Sequence, residues 1–179
     1  MPNHVKNILK IEGQEDEVRF IFGCISGDTV DQLIDFNRII PAPPFRFNSF
    51  AGQKEEALAK KFNVPIWTKF NRGNWGTKWN AYSQDKIDDN TISFDTAWSS
   101  SQVIVDAIAK KFTSVLITLT YADEDTGSNV GVIQWNNGVR EENIPQNISK
   151  EAFDIAFKVR PHCAEDYALV DGKYTFIGE

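Results

Sequence analysis

Three short segments of this chain alternate apolar and polar residues at every second position, and stripes of helical period lie between them. That succession of periods limits the fold more than any other feature. Val5, Leu9 and Ile11 oppose Lys6, Lys10 and Glu12, so residues 5–12 read as a strand with one dry and one wet face. Ile92, Phe94, Thr96 and Trp98 alternate with Ser93, Asp95 and Ala97, and Val115, Ile117, Leu119 and Tyr121 repeat the pattern. Residues 130–135 return as a hairpin partner closed by Asn136-Asn137-Gly138. Val18, Ile21, Phe22 and Ile25 fall at helical spacing behind an acidic first turn. Ile104, Ala107, Ile108 and Phe112 do the same, with Ser99–Ser101 as candidate caps and Lys110 and Lys111 in the last turn.

Residues 35–40 read as a further strand, stopped by Pro41-Ala42-Pro43-Pro44. Residues 54–62 and 150–159 read as helices and 174–177 as a short strand. The order is then β-α-β, an insertion, β-α-β, and a tail. Two such halves predict a ferredoxin-like split βαβ fold of the α+β class: an antiparallel sheet with its helices on one face. The expected organisation is one domain over residues 1–139, with a Trp-rich insertion at about 45–90, and a C-terminal appendage over 140–179 packed on it.

Composition narrows the function. The longest apolar runs fall far short of the roughly 18 residues of a membrane span, so no membrane partner is expected. The N-terminal residues carry Lys6 and Lys10 inside their apolar pattern, unlike a signal peptide. Cys24 and Cys163 are the two cysteines. They are too few for a disulfide framework or for the roughly four thiolates of an iron–sulfur cluster, so a cytoplasmic protein without cofactor is expected. A net charge of −6 argues against uniform coating of nucleic acid.

Three motifs stand out: Asn74-Trp75-Gly76-Thr77-Lys78-Trp79-Asn80-Ala81-Tyr82, Ser93-Phe94-Asp95-Thr96-Ala97-Trp98, and Tyr121-Ala122-Asp123-Glu124-Asp125 followed by Gly127 and Asn129. With Met1-Pro2-Asn3-His4-Val5 and Asp35-Phe36-Asn37-Arg38-Ile39-Ile40-Pro41, they resemble the YubB-like proteins of phages and plasmids over roughly residues 1–135. The resemblance implies a ferredoxin-like domain in a mobile-element protein of the bacterial cytoplasm. It implies no reaction, because fold does not carry function.

Charge is unevenly spread. Residues 57–84 hold Lys60, Lys61, Lys69, Arg72 and Lys78 and no acidic residue, leaving −11 for the remainder. The same window carries Phe62, Trp67, Phe70, Trp75, Trp79 and Tyr82. Cations that follow phosphates among rings that stack bases are a means of gripping single strands. Candidate contacts are Arg72, Asn74, Trp75, Lys78, Trp79, Asn80 and Trp98. The competing reading is structural: the rings fill a secondary core, with lysines lying over it.

Asp123 and Asp125, joined by Asp95, are the candidate metal ligands or acid–base pair, since carboxylates at strand ends hold hard cations. The competing reading is a turn-forming acidic tip. His4 and His162 lack zinc spacing, and no nucleophile motif, P-loop or dinucleotide fingerprint occurs. The sequence therefore favours a non-catalytic binding module whose partner is a host protein or single-stranded nucleic acid. A metal-assisted hydrolase or nucleotide-processing enzyme is the second reading, and a homodimer burying its tryptophans the third.

Overall fold

A computed structural model describes residues 2–48 and 50–178. Strand β1 (His4–Glu12) leads to helix α1 (Glu15–Ile25), whose first turn carries Glu15, Asp16 and Glu17. Three helices follow: α2 (Phe36–Ile39), α3 (Gln53–Phe62) and α4 (Trp67–Asn74). Strands β2 (Tyr82–Asp88) and β3 (Thr91–Ala97), helix α5 (Gln102–Lys111) and strands β4 (Leu116–Asp123), β5 (Val130–Asn136) and β6 (Val139–Asn143) continue the chain. Helix α6 (Lys150–Val159) and the hairpin β7 (Tyr167–Val170)–β8 (Lys173–Phe176) end it.

The main sheet runs β2-β3-β1-β4-β5-β6, and every pairing is antiparallel. β3 and β4 both oppose β1, so they run parallel to each other with β1 between them. β1 and β2 flank β3 in the same way. These are the two interlocked split βαβ units of a ferredoxin-like domain. The expected second strand at residues 35–40 is instead a turn of helix. Asp35 Oδ1 accepts the Asn37 backbone N–H at 2.9 Å, capping α2, and Pro41 stops the helix. The strand that completes the first unit is β2, which lies within the 45–90 stretch assigned from sequence to the insertion. The inserted segment between α1 and β2 is helical. At the other end, β6 continues the sheet across the 139/140 division.

One sheet face is dry throughout. Val5, Leu9 and Ile11 of β1 pack with Ile117 and Leu119 of β4 beneath α1 (Val18, Ile21, Ile25) and α5 (Ile104, Val105, Ile108). The other face is not left to water, as a one-faced fold predicts. Ala152, Ile155, Ala156 and Val159 of α6 cover Ala122, Val130, Ile8 and Val132 there. Rings of α6 and the β7–β8 hairpin (Phe153, Phe157, Tyr167, Tyr174) meet at centroid separations of 5.0–5.8 Å, anchoring the hairpin on α6. On the β2-β3-β1 half of that face α6 reaches Ile8 of β1, while Lys6, Asp95 and Tyr82 lie outside its apolar cluster. No helix of the described residues is long and apolar enough to cross a membrane.

Candidate functional site: a strip of rings and cations from the insertion to the sheet

The inserted helices sort the expected contacts into core and surface. Trp75 is core, at 3% exposure. Its indole N–H donates to the Ile40 carbonyl at 2.9 Å, and its ring meets Phe36 and Phe70 edge to face. It is therefore corrected from contact to plug. Asn80 is also structural: Oδ1 accepts from the Phe36 and Ala81 backbones and Nδ2 donates to Asp35 Oδ1 at 2.6 Å, pinning the insertion to α2. Asn74 donates to the Phe70 carbonyl within α4. Arg72 is exposed on the last turn of α4 and makes no ion pair among the described residues.

Lys78 and Trp79 are partly exposed, and they are joined to Phe50 and His4, which are not among the expected contacts. Phe50, 73% exposed, meets the half-buried Trp67 edge to face at 6.4 Å. Lys78 Nζ lies 5.0 Å from the Phe50 centroid and 5.0 Å from that of Trp79, a cation held over two rings. Trp79 meets Tyr82 at 6.0 Å, and Tyr82 meets His4 at 5.6 Å. The Tyr82 hydroxyl is hydrogen-bonded to His4 Nδ1 at 2.7 Å. Trp67, Phe50, Lys78, Trp79, Tyr82 and His4 thus form an unbroken strip from the insertion onto the β2-β3-β1 half of the sheet.

Polar groups gather at the sheet end of the strip. Register sets Tyr82 and Lys6 on either side of Asp95, all partly exposed on the face away from α1 and α5. Arg160, beyond the end of α6, donates to the backbone carbonyls of His4 (2.8 Å) and Ala122 (3.4 Å), which brings its guanidinium to the same place. Burial holds the Asp95 carboxyl above the usual carboxylate range, against the pull of Lys6, Arg160 and His4 and a hydrogen bond from the Ser83 hydroxyl. Burial, with the Asp95 and Glu124 carboxylates nearby, pushes the Tyr82 phenol up to about 12. Perturbation of this kind marks functional ground in many proteins.

The three candidate carboxylates do not meet as a set. Val5 pairs with both Thr96 and Asp123, so Asp123 belongs to the dry face and Asp95 to the opposite one. Asp123 is buried and accepts from Asn3 Nδ2 (3.1 Å), the Asp125 backbone (3.0 Å) and Asn129 Nδ2 (2.9 Å). It staples a turn, while Asp125 faces solvent. Among the described residues no group of three metal-ligating side chains is assembled.

Trp98 stands outside the strip. It is 48% exposed with φ of 73°, a conformation uncommon for a bulky residue. Backbone bonds hold it: its N–H donates to Asn3 O at 3.0 Å, and its carbonyl accepts from Asn129 at 3.4 Å. His4 and Phe50 escaped sequence reasoning for different reasons. The partner of His4 is 78 positions away, and Phe50 lies outside the window that drew attention to charge.

Residues 45–81 carry seven Lys and Arg against two Glu, a net +5 on a chain of −6. The strip therefore starts on the most cationic part of the molecule.

Sheet order, register and this insertion define a ferredoxin-like domain extended by two strands and elaborated by inserted helices. Residues 74–160 match the family described as the ferredoxin-like domain in Api92-like protein. That match runs from the end of α4 to Arg160 and takes in Lys78, Trp79, Tyr82 and Asp95, whereas the YubB-like resemblance covers roughly residues 1–135. The chain is also similar to the crystal structure of a protein api92 from Yersinia pseudotuberculosis, at 12% identity, 82% coverage of this chain, 99% of that one and a TM-score of 0.42. No curated protein matches the chain.

Proposed function

We propose that the protein is a non-catalytic binding module that holds single-stranded nucleic acid along the strip from Trp67 to His4. The observation that carries this reading is the continuity of rings on either side of Lys78. Bases stack on aromatic faces at about 1–3 kcal/mol each, and a phosphate pairs with an intervening cation such as Lys78, so rings flanking that lysine suit an unpaired strand. The width of a duplex would not follow a path one side chain broad. Lys60, Lys61 and Arg72, exposed on the same segment, extend the cationic field. The YubB-like resemblance of the motifs supports a phage or plasmid context in the bacterial cytoplasm, where unpaired strands accompany the copying of mobile DNA.

A host protein is the second reading. It is favoured by Phe45, Leu58 and Phe62, which are more than half exposed on and beside α3 and which base stacking along the strip does not use. A homodimer would use the same surface.

The test is fluorescence anisotropy of a labelled oligothymidylate, titrated with the protein from low to moderate salt. Binding that weakens with salt and drops about tenfold or more in Trp79→Ala and Lys78→Ala supports the strip. No binding at low salt overturns the nucleic-acid reading. Light scattering of the free protein then separates a dimer from a monomer awaiting a host protein.

A further inference from the structure

Where the strip ends on the sheet, the chemistry changes. Upstream it offers rings about the Lys78 ammonium. At the end, Lys6 and Arg160 are matched by Asp95 and Glu124, so the local charge cancels and a phosphate gains little there. What such a place favours is a neutral, strongly dipolar group lying against a ring. The Ser83 hydroxyl donates to the Asp95 carboxyl, but Oδ1 of that carboxyl is buried and has no hydrogen-bond partner among the described residues. A buried acceptor without a partner is costly, and native structures rarely leave one without a reason.

We infer that this end of the strip is a guanine subsite and that Asp95 is the residue that reads the base; the inference rests on the strip holding single-stranded nucleic acid. The Watson–Crick edge of guanine presents N1–H and the 2-amino group side by side, two adjacent donors for one carboxylate. Its O6 and N7 accept from lysine and arginine, the commonest specific contact to this base. The other bases fit worse. Thymine and uracil flank a single N–H with two carbonyls, which a carboxylate repels. Adenine and cytosine set one amino group beside a bare ring nitrogen. Trp79 and Tyr82 supply ring surface for stacking. Because Tyr82 is the cross-strand neighbour of Asp95, its hydrogen bond to His4 guards the approach, and an arriving base opens it.

The experiment compares labelled oligothymidylate with the same oligonucleotide carrying one central guanine, and with one carrying inosine, which lacks the 2-amino group. Guanine is expected to bind roughly tenfold more tightly than thymine at that position, inosine to lose most of that gain, and Asp95→Asn to bring the ratio close to one. Using inosine places the decisive change on the ligand, so a folding defect in the variant cannot imitate the result. Equal affinity for all three oligonucleotides, or a preference that survives Asp95→Asn, overturns the inference while leaving the strip standing. Guanosine monophosphate is the last arm. Its binding where no oligonucleotide binds would keep a guanine subsite and overturn the strand reading.

Discussion

The Tyr82 hydroxyl lies 2.7 Å from Nδ1 of His4, tying the outer strand β2 to the central strand β1 across β3. Burial first, and the neighbouring carboxylates after it, push this phenol up to about 12. Alkaline spectrophotometric titration should show one tyrosine ionising at about 12 that is missing from Tyr82→Phe. The folded state holds that proton more tightly than the unfolded chain, so the phenol's contribution to stability is lost as pH rises from about 10 to about 12. The variant should lack that component of the alkaline slope. A high-pH step that survives the substitution would show that the raised phenol is not Tyr82.

Two neighbouring aromatic positions should separate stability from binding. Trp75→Ala empties a core position and removes the bond to Ile40, so denaturant unfolding should show a loss of about 3–5 kcal/mol. Phe50 is mostly exposed, and Phe50→Ala should change stability by no more than about 0.5 kcal/mol while weakening oligonucleotide binding several-fold. Comparable destabilisation by both would place Phe50 in the core and shorten the strip.

Asp95 sets a pH dependence of its own. Its carboxyl is held above the usual range by burial, so ionising it costs more in the folded state than in the unfolded chain. Stability is therefore lost as pH rises from the ordinary carboxylate range through the folded value. Asp95→Asn removes that cost and should melt at or above the wild-type temperature at neutral pH, the two curves converging in acid. A variant that is less stable at neutral pH and no different in acid contradicts this assignment.

Asp123 should behave as a staple. Asp123→Ala strands the donors of Asn3 and Asn129 and should cost about 1–3 kcal/mol. Millimolar Mg²⁺, Mn²⁺ or Ca²⁺ should leave the wild-type melting temperature where it is, because Asp95 and Asp123 lie on opposite faces of the sheet. A rise with any of these ions, lost in Asp123→Ala, would restore a metal site.

Legibility in the sequence followed burial. β1, β4 and α1 announce themselves because one of their faces must be dry, and period alone exposes that. β2 does not: Tyr82–Asp88 is an exposed edge with an irregular register, and its polar composition carries no alternation. The stretch 35–40 misleads because Phe36 is buried by a helical turn, and a single buried ring suits either period. Ser101 stands at the expected helix start, yet its hydroxyl makes no cap; its backbone N–H donates to Asn7 Oδ1 at 3.3 Å instead. The charge asymmetry of the insertion was readable directly. The sorting of its tryptophans was not, since Trp75 and Trp79 differ only in what lies over them.

Photocrosslinking addresses the central claim most directly. A single-stranded oligonucleotide carrying photoreactive iodouracil is bound at low salt, irradiated, and its attachment points are mapped by mass spectrometry. Adducts are expected on Phe50, Trp79, Tyr82 or His4, diminished by Lys78→Ala. Adducts confined to the helical face of α1 and α5, or none at saturating protein, would contradict it.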